Sequence, residues 1–194
     1  MTLPSRIEGY AIVSTDGMLA DASGIMPEAL KFDADQRFFA QGLDGVDAVA
    51  HGRHSHEQQP HSDRRRRLIL TRRIAGLAKD PDHAKALLWN PAGASFEQAW
   101  DALALPGGSL AVIGGTDVFG MFLPRYDVFY LTRAPTVRLP GGRPVFPQVP
   151  ACTPEQVLTQ HGFTPDAPRV LDAVQNILVV SWRRSTSPHG SRGI

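Results

Sequence analysis

Short apolar segments alternate with amphipathic segments along most of the chain. Apolar runs bounded by turn residues predict buried strands, and such runs cover residues 7–14, 46–52, 66–71, 84–90, 109–115, 126–134 and 177–184. Apolar residues that recur every three or four positions predict helices, and these lie at 32–43, 95–105, 116–123 and 153–162. Turn-forming residues at 15–27 and 135–150 predict loops.

The order of these elements predicts the fold class. Strands that alternate with helices indicate an α/β fold, in which a central sheet of largely parallel strands carries helices on its faces. Ligands of such folds bind at the carboxyl ends of the strands. The chain length of 194 residues fits a single domain over residues 1–184, followed by a flexible tail at 185–194.

The composition is typical of a soluble globular protein, with 42% apolar and 20% charged residues. The net charge of +1 gives no general attraction to nucleic acid or to anionic membranes, so any anion site must be local. The single cysteine, Cys152, excludes an intrachain disulfide. The first residues lack the pattern of a signal peptide, and no apolar run is long enough for a membrane span. We therefore expect a cytoplasmic protein.

Three segments that follow predicted strands offer groups that bind anions. Residues 52–55 place a glycine and an arginine where a helix would begin, residues 70–73 carry a hydroxyl and two guanidinium groups, and residues 114–117 present backbone amides at a helix start. Together they match a dinucleotide with several phosphates, and Arg72 and Arg73 favour a 2′-phosphate, hence NADPH.

Each of these segments has an ordinary structural interpretation when taken alone. A glycine after a strand is usually a turn, and an arginine there is usually a solvated charge. The stretch 113–115 is not the GxGxxG fingerprint of a standard Rossmann site. The adjacent Gly114 and Gly115 nevertheless suggest that a large ligand comes close to the backbone, where a side chain would collide with it.

The combined pattern resembles the dihydrofolate reductase superfamily, which includes the reductase domain of riboflavin biosynthesis. The resemblance is collinear over roughly residues 7–147. "GIMP" (24–27) resembles the end of the mobile active-site loop, "GRHS" (52–55) the cofactor-phosphate motif, "LTRR" (70–73) the segment that holds the 2′-phosphate, and "IGGTDVFGMFLP" (113–124) the motif under the nicotinamide and pyrophosphate. The implied architecture is a dihydrofolate-reductase-like three-layer fold, with a mostly parallel central sheet, an antiparallel C-terminal strand and helices on both faces.

The resemblance also implies an activity and a set of site residues. The activity is NADPH-dependent hydride transfer to a pterin or folate, and Asp35 matches the acid that binds and helps protonate the pterin. Asp33 is the alternative if the register differs. The implied substrate-binding residues are Ile12, Met26, Phe39 and Thr132, and the implied cofactor-binding residues are Gly52, Arg53, His54, Ser55, Thr71, Arg72, Arg73, Ile113, Gly114, Gly115, Thr116, Asp117, Val118 and Phe119.

Departures from the family pattern leave the substrate open. Glu28 stands where dihydrofolate reductases usually have a tryptophan. The stretch 14–24 resembles the riboflavin-pathway reductases, but Ile113 stands where that group usually has glutamate. The alternatives are therefore a ribosylaminopyrimidine reductase of riboflavin synthesis and a non-catalytic nucleotide-binding relative. The resemblance is compatible with a monomer or a homodimer.

Three further features favour structural explanations. The histidine-rich stretch 51–61 lacks the framing motif of a metal site, so no metal is expected. The arginine run 64–67 predicts a solvated edge or extra attraction for the cofactor in a nearly neutral protein. Trp89, Trp100 and Trp182 are predicted to pack in the core.

Overall fold

The computed structural model describes residues 3–54 and 64–184. The predictions for Ser55, for the histidines at 56 and 61 and for the tail at 185–194 lie outside these residues. The described α-helices are α1 (Asp33–Asp44), α2 (Phe96–Ala102), α3 (Thr116–Phe122) and α4 (Pro154–Gln160), and a 3₁₀ helix spans Glu28–Leu30. The described strands are β1 (Arg6–Val13), β2 (Met18–Ala20), β3 (Ala48–Gly52), β4 (Arg66–Leu70), β5 (Leu77–Lys79), β6 (Ala86–Trp89), β7 (Ser109–Val112), β8 (Val128–Arg133), β9 (Arg143–Pro144), β10 (Phe163–Pro165), β11 (Arg169–Asp172) and β12 (Ile177–Arg184).

Ten of the strands described within 3–54 and 64–184 form one sheet, in the order β10-β12-β8-β1-β7-β3-β4-β6-β5, with β11 also paired to β12. The central strands from β8 to β6 are all parallel. The long C-terminal strand β12 runs antiparallel to β8, and β5 runs antiparallel to β6. The predicted mostly parallel sheet with an antiparallel C-terminal strand is confirmed.

Every strand and helix predicted from the apolar pattern is present, but five short strands were missed. β2 and β9 lie within the predicted loops 15–27 and 135–150 and pair with each other. β5, β10 and β11 join the ends of the central sheet. These strands carry few buried residues, so their sequences lack an apolar run, and pairing with a neighbour determines their conformation.

The two faces of the sheet carry different amounts of core. Alternation along β1 directs Ile7, Ala11 and Val13 to the larger core, which α2, α3 and α4 cover and which contains the three tryptophans. The other face carries Tyr10 and Ile12 and is covered by α1. Helices on both faces and tryptophans in the core are therefore confirmed. Among the helices within 3–54 and 64–184, none is long and apolar enough to cross a bilayer.

Only half of the arginine run 64–67 is the solvated edge that its charge predicted, because Arg64 and Arg66 are exposed whereas Arg65 and Arg67 are buried. Arg65 is buried and donates hydrogen bonds to the Leu43 carbonyl at 3.2 Å and to the Asp44 carboxylate at 2.6 Å. Arg66 donates to the Leu103 carbonyl at 2.6 Å. These contacts satisfy carbonyls at the C-terminal ends of α1 and α2, where positive charge is favoured. The run therefore connects two helices to β4.

Substituting Gly9 with alanine should destabilise the fold. A Cβ at position 9 of the central strand β1 would overlap the ring of Phe129, which is completely buried. Overpacking a core in this way lowers the free energy of unfolding by about 1–3 kcal/mol. Urea unfolding measures this change. Gly45→Ala is the matched control, because its Cβ would meet no atom closer than 3.5 Å. An equal loss in both variants would contradict the packing explanation.

Candidate functional site

One cleft follows the carboxyl ends of the parallel strands. Its volume is about 1980 Å³, which exceeds the few hundred to about 1,000 Å³ of a typical small-ligand pocket, so it has room for two ligands side by side. Every predicted site residue that the structure describes lies along this cleft. They are Ile12, Met26, Asp35, Phe39, Gly52, Arg53, His54, Thr71, Arg72, Arg73, Ile113, Gly114, Gly115, Thr116, Asp117, Val118, Phe119 and Thr132.

The acid at one end of the cleft is Asp35, in the first turn of α1. The residue as a whole is half-buried. Burial of the carboxyl raises the pKa of Asp35 to about 6, and a hydrogen bond from the Thr132 hydroxyl opposes this shift. The alternative acid, Asp33, is exposed and is not among the residues that line the cleft. Of the two predicted acids, Asp35 is therefore the one that lines the cleft.

Local periodicity brings the acid and its partners together. Thr132 lies on β8 directly beside Ile12 of β1, and the alternation along β8 puts Tyr130 on the same face. On α1, Phe38 and Phe39 follow Asp35 by three and four positions, so all three side chains share one stripe of the helix. Sequence reasoning missed Phe38 and Tyr130, although these two periodicities predict their positions.

Stacked aromatic rings form the floor beneath this end of the cleft. The rings of Tyr10 and Tyr130 stack with centroids 4.8 Å apart, and Phe38 meets Tyr130 edge to face at 5.5 Å. The Tyr10 hydroxyl donates to the buried carboxylate of Glu8, and burial raises the pKa of Tyr10. Gly42 of α1 makes room for the ring, because a Cβ there would lie 2.6 Å from Tyr10. The ring of Tyr10 is therefore fixed by the hydrogen bond to Glu8 and by its close fit to Gly42 of α1.

The paired glycines lie at the centre of the cleft, between β7 and α3. Gly114 has φ +110°, and a Cβ on it would lie 2.9 Å from the Phe119 ring. The conformation of the chain itself thus requires glycine at position 114, whether or not a ligand is present. Gly115 is joined to it by a cis peptide bond and has φ −80°, which other residues adopt. The prediction of a close ligand therefore depends on Gly115 alone.

Helix α3 begins at these glycines. Its first-turn amides have no acceptor within the helix, which makes them available to an anion. The Thr116 hydroxyl is already used, since it donates to the Pro144 carbonyl. Val118 and Phe119 are buried, and the Phe119 ring packs on Phe129 with centroids 5.4 Å apart. The side chains of these two residues therefore pack in the core beneath the glycines.

Three arginines, Arg53, Arg72 and Arg73, lie at the far end of the cleft from Asp35, because β3 and β4 are separated from β8 by β1 and β7 in the sheet. Arg53 follows β3, and its guanidinium lies 2.9 Å from the ring nitrogen of His54. Arg72 and Arg73 follow the neighbouring strand β4, and both are exposed. Arg72 lies 3.4 Å from the carboxylate of Asp117 on α3, an exposed pair that water screens. This end of the cleft is therefore suited to a ligand with several negative charges.

The raised pKa of Asp35 predicts how stability depends on pH. Between about pH 4 and pH 6 the folded chain holds a proton that the unfolded chain has released, so the free energy of unfolding falls as pH rises through this window. Asp35→Asn should therefore be more stable than the wild type at pH 8, by about 2–3 kcal/mol at about 1.4 kcal/mol per pKa unit. The difference should shrink below about pH 4.

Urea unfolding at pH 4 and pH 8 measures this effect. Asp33→Asn is the matched control, because Asp33 lies in the same helical turn but is exposed. Equal stability of the wild type and Asp35→Asn at pH 8 would contradict the raised pKa of Asp35.

Comparisons with known proteins support the fold but give no sequence-level match. No protein-family model and no curated protein matches the chain. Many solved structures do match, and three of them show the similarity. One is a protein from Shewanella sp. PV-4 assigned to riboflavin biosynthesis, with a TM-score of 0.66, 18% identity, and coverage of 93% of this chain and 99% of that one.

The second is dihydrofolate reductase from Enterococcus faecalis, complexed with NADP(H) and RAB-propyl, with a TM-score of 0.60, 17% identity, and coverage of 93% and 97%. The third is a diaminohydroxyphosphoribosylaminopyrimidine deaminase/5-amino-6-(5-phosphoribosylamino)uracil reductase from Thermotoga maritima, with a TM-score of 0.62 and 17% identity. That match covers 94% of this chain and 57% of the longer Thermotoga chain. The parallel sheet, the antiparallel C-terminal strand and these similarities together show that the chain has the dihydrofolate-reductase-like fold.

Proposed function

We propose that the protein is an NADPH-dependent reductase that transfers a hydride to a pterin or a related aminopyrimidine. The observation that carries this proposal is the charge arrangement of the cleft. The desolvated Asp35 lies at one end, Arg53, Arg72 and Arg73 lie at the other, and Gly114 and Gly115 lie between them. A reductase of this type must hold an anionic dinucleotide and a ring that takes up a proton, and the cleft provides a place for each.

The residues present fit the cofactor. Arg53, Arg72 and Arg73 would bind its phosphates, and the pair that follows β4 would hold a 2′-phosphate. The first-turn amides of α3 would bind the pyrophosphate, and Gly115 would let the ligand approach the backbone. When bound, NADPH supplies the hydride. The structural neighbour from Enterococcus faecalis was solved with NADP(H), which supports this choice of cofactor.

Asp35 would recognise and protonate the substrate. A carboxylate held by the Thr132 hydroxyl can accept paired hydrogen bonds from the amino-pyrimidine edge of a pterin. A pKa of about 6 lets Asp35 carry a proton in a fraction of molecules at neutral pH, as a general acid requires. Phe38 and Phe39 would pack against the ring, and the exposed Met26 and the loop before it would exclude water.

Dihydrofolate is the first substrate that we propose, and the ribosylaminopyrimidine of riboflavin synthesis is the second. Both present an aminopyrimidine edge that Asp35 and Thr132 can recognise. The structural matches to the Shewanella and Thermotoga proteins support the ribosylaminopyrimidine as the second candidate substrate. We propose that the protein acts in the cytoplasm, as a monomer or a homodimer, and binds neither nucleic acid nor membranes.

Turnover should depend on Asp35. The purified protein should oxidise NADPH in the presence of dihydrofolate or the ribosylaminopyrimidine, and Asp35→Asn should lower kcat by about 10²–10⁴-fold, because it removes the proton donor. In the wild type, kcat should decline as pH rises above about 6, because the protonated acid is lost. Asp33→Asn should retain activity. NADPH binding without turnover of either substrate would instead favour a non-catalytic nucleotide-binding relative.

Binding of NADPH should depend on the absence of a side chain at Gly115, which lines the cleft. Gly115→Ala should raise the Kd for NADPH by roughly tenfold, or about 1.4 kcal/mol, because the added methyl group would meet the ligand. Isothermal titration calorimetry measures this change, and thermal unfolding checks that the variant is folded. Gly45→Ala, which lies outside the cleft lining, should bind NADPH like the wild type. Unchanged affinity in a folded Gly115→Ala protein would contradict the cofactor assignment.

A further inference from the structure

Two carboxylates line the cleft among the residues that the structure describes, and the proposed mechanism uses only one of them. The first is Asp35, the proposed proton donor, and the second is Asp117 in the first turn of α3. Asp117 lies at the end of the cleft where Arg53, Arg72 and Arg73 would bind phosphates. A negative charge among these arginines opposes the binding of a phosphate, so its presence there requires an explanation.

The Asp117 carboxylate already has a partner within the protein. One of its oxygens lies 3.4 Å from a guanidinium nitrogen of Arg72. Within residues 3–54 and 64–184, no other carboxylate lies within 4.0 Å of the guanidinium groups of Arg53, Arg72 and Arg73. Among the described residues, Asp117 therefore offsets the charge of one of the three arginines, Arg72.

The pair joins two segments that are far apart in sequence but close together at the edge of the sheet. Arg72 follows β4 and Asp117 belongs to the helix after β7, and β3 lies between these two strands. Adjacent strands are about 4.8 Å apart, so the two side chains bridge about 10 Å beyond the end of β3. Local sequence therefore gives no sign of this contact.

The backbone beneath the pair is fixed, whereas the two side chains are not. The Gly52 amide donates to the Gly114 carbonyl at 2.8 Å, and the Arg53 amide donates to the Leu70 carbonyl at 3.1 Å. The side chains of the pair are 89% and 83% exposed. An ion pair in water contributes little to stability, so a ligand can separate the two side chains without moving the backbone.

Arg72 is one of the two arginines that would hold the 2′-phosphate of the cofactor. A guanidinium nitrogen that contacts a carboxylate must give up that contact before it binds a phosphate oxygen in the same direction. Binding of the 2′-phosphate therefore separates Arg72 from Asp117. A dinucleotide without this phosphate leaves the pair intact, so the energetic cost of separation falls on only one of the two ligands.

We propose that Asp117 is a specificity-determining residue that reduces the preference of the protein for NADPH over NADH. This inference rests on the proposed function, because it takes the 2′-phosphate to bind at Arg72 and Arg73. Asp117 competes with that phosphate for Arg72. The protein then binds NADPH less tightly than its arginines alone would allow, and it discriminates less strongly against NADH.

Isothermal titration calorimetry with NADPH and NADH tests this proposal, because the two ligands differ only in the 2′-phosphate. In about 10 mM salt, screening is weak. Asp117→Asn should then lower the Kd for NADPH by about fivefold, the upper limit for an exposed ion pair. The Kd for NADH should stay within about twofold of the wild-type value.

Two further variants separate this competition from other causes. In an Arg72→Gln background, Asp117→Asn should change the Kd for NADPH by less than about twofold, because the shared partner is gone. Asp166→Asn is the matched control, since it also removes an exposed aspartate paired with an exposed arginine, Arg183, but lies outside the cleft lining. It should leave the Kd for both dinucleotides unchanged.

Four results would overturn the proposal. Equal tightening of NADPH and NADH in Asp117→Asn would show that the effect does not depend on the 2′-phosphate. Unchanged affinity for NADPH in this variant would also overturn it and would leave the proposed function standing. A fivefold effect that persists in about 1 M salt would indicate a steric cause. A wild-type protein that binds neither dinucleotide would overturn the proposed function together with this inference.

Discussion

Parallel pairing among β8, β1, β7, β3 and β4 is the constraint on which the cleft depends. Parallel strands end at one edge of a sheet, so the segments that follow them meet even when they are far apart in sequence. Gly52 and Gly114 illustrate this, because the amide of the first donates to the carbonyl of the second at 2.8 Å. The same pairing places Thr132 beside Ile12. This arrangement of strands assembles the strand-end part of the cleft, to which α1 adds Asp35.

The unequal cores on the two faces of the sheet explain where polar groups are buried. The face covered by α2, α3 and α4 is filled with large apolar side chains, and one of them, Phe119, packs against Gly114. The face covered by α1 contains only a thin core, and there the chain buries the carboxylate of Glu8 and desolvates Asp35. A disfavoured ionisation of this kind lowers stability at neutral pH, which is a common cost of a functional site.

Charge separation along the cleft gives each end a different chemistry. The shift in the pKa of Asp35 comes from burial, with Thr132 opposing it, so the acid keeps a proton more readily than a surface aspartate. A nearby arginine would lower this pKa instead, but Arg53, Arg72 and Arg73 follow strands at the other end of the cleft. The distance between Asp35 and these three arginines thus allows one cleft to hold a carboxyl with a raised pKa and a positively charged surface.

The sequence by itself determined the long elements and about half of the cleft lining. The apolar periods of β1, β8 and α1 are local properties, and motifs at their ends mark the residues that follow. The tertiary structure alone decided the short edge strands, the burial of Arg65 and the pairing of Arg169 with Phe38. These depend on contacts between segments distant in the chain, which no local period encodes. Position 114 is another example, because it requires glycine as a result of its contact with the Phe119 ring, which the local sequence does not encode.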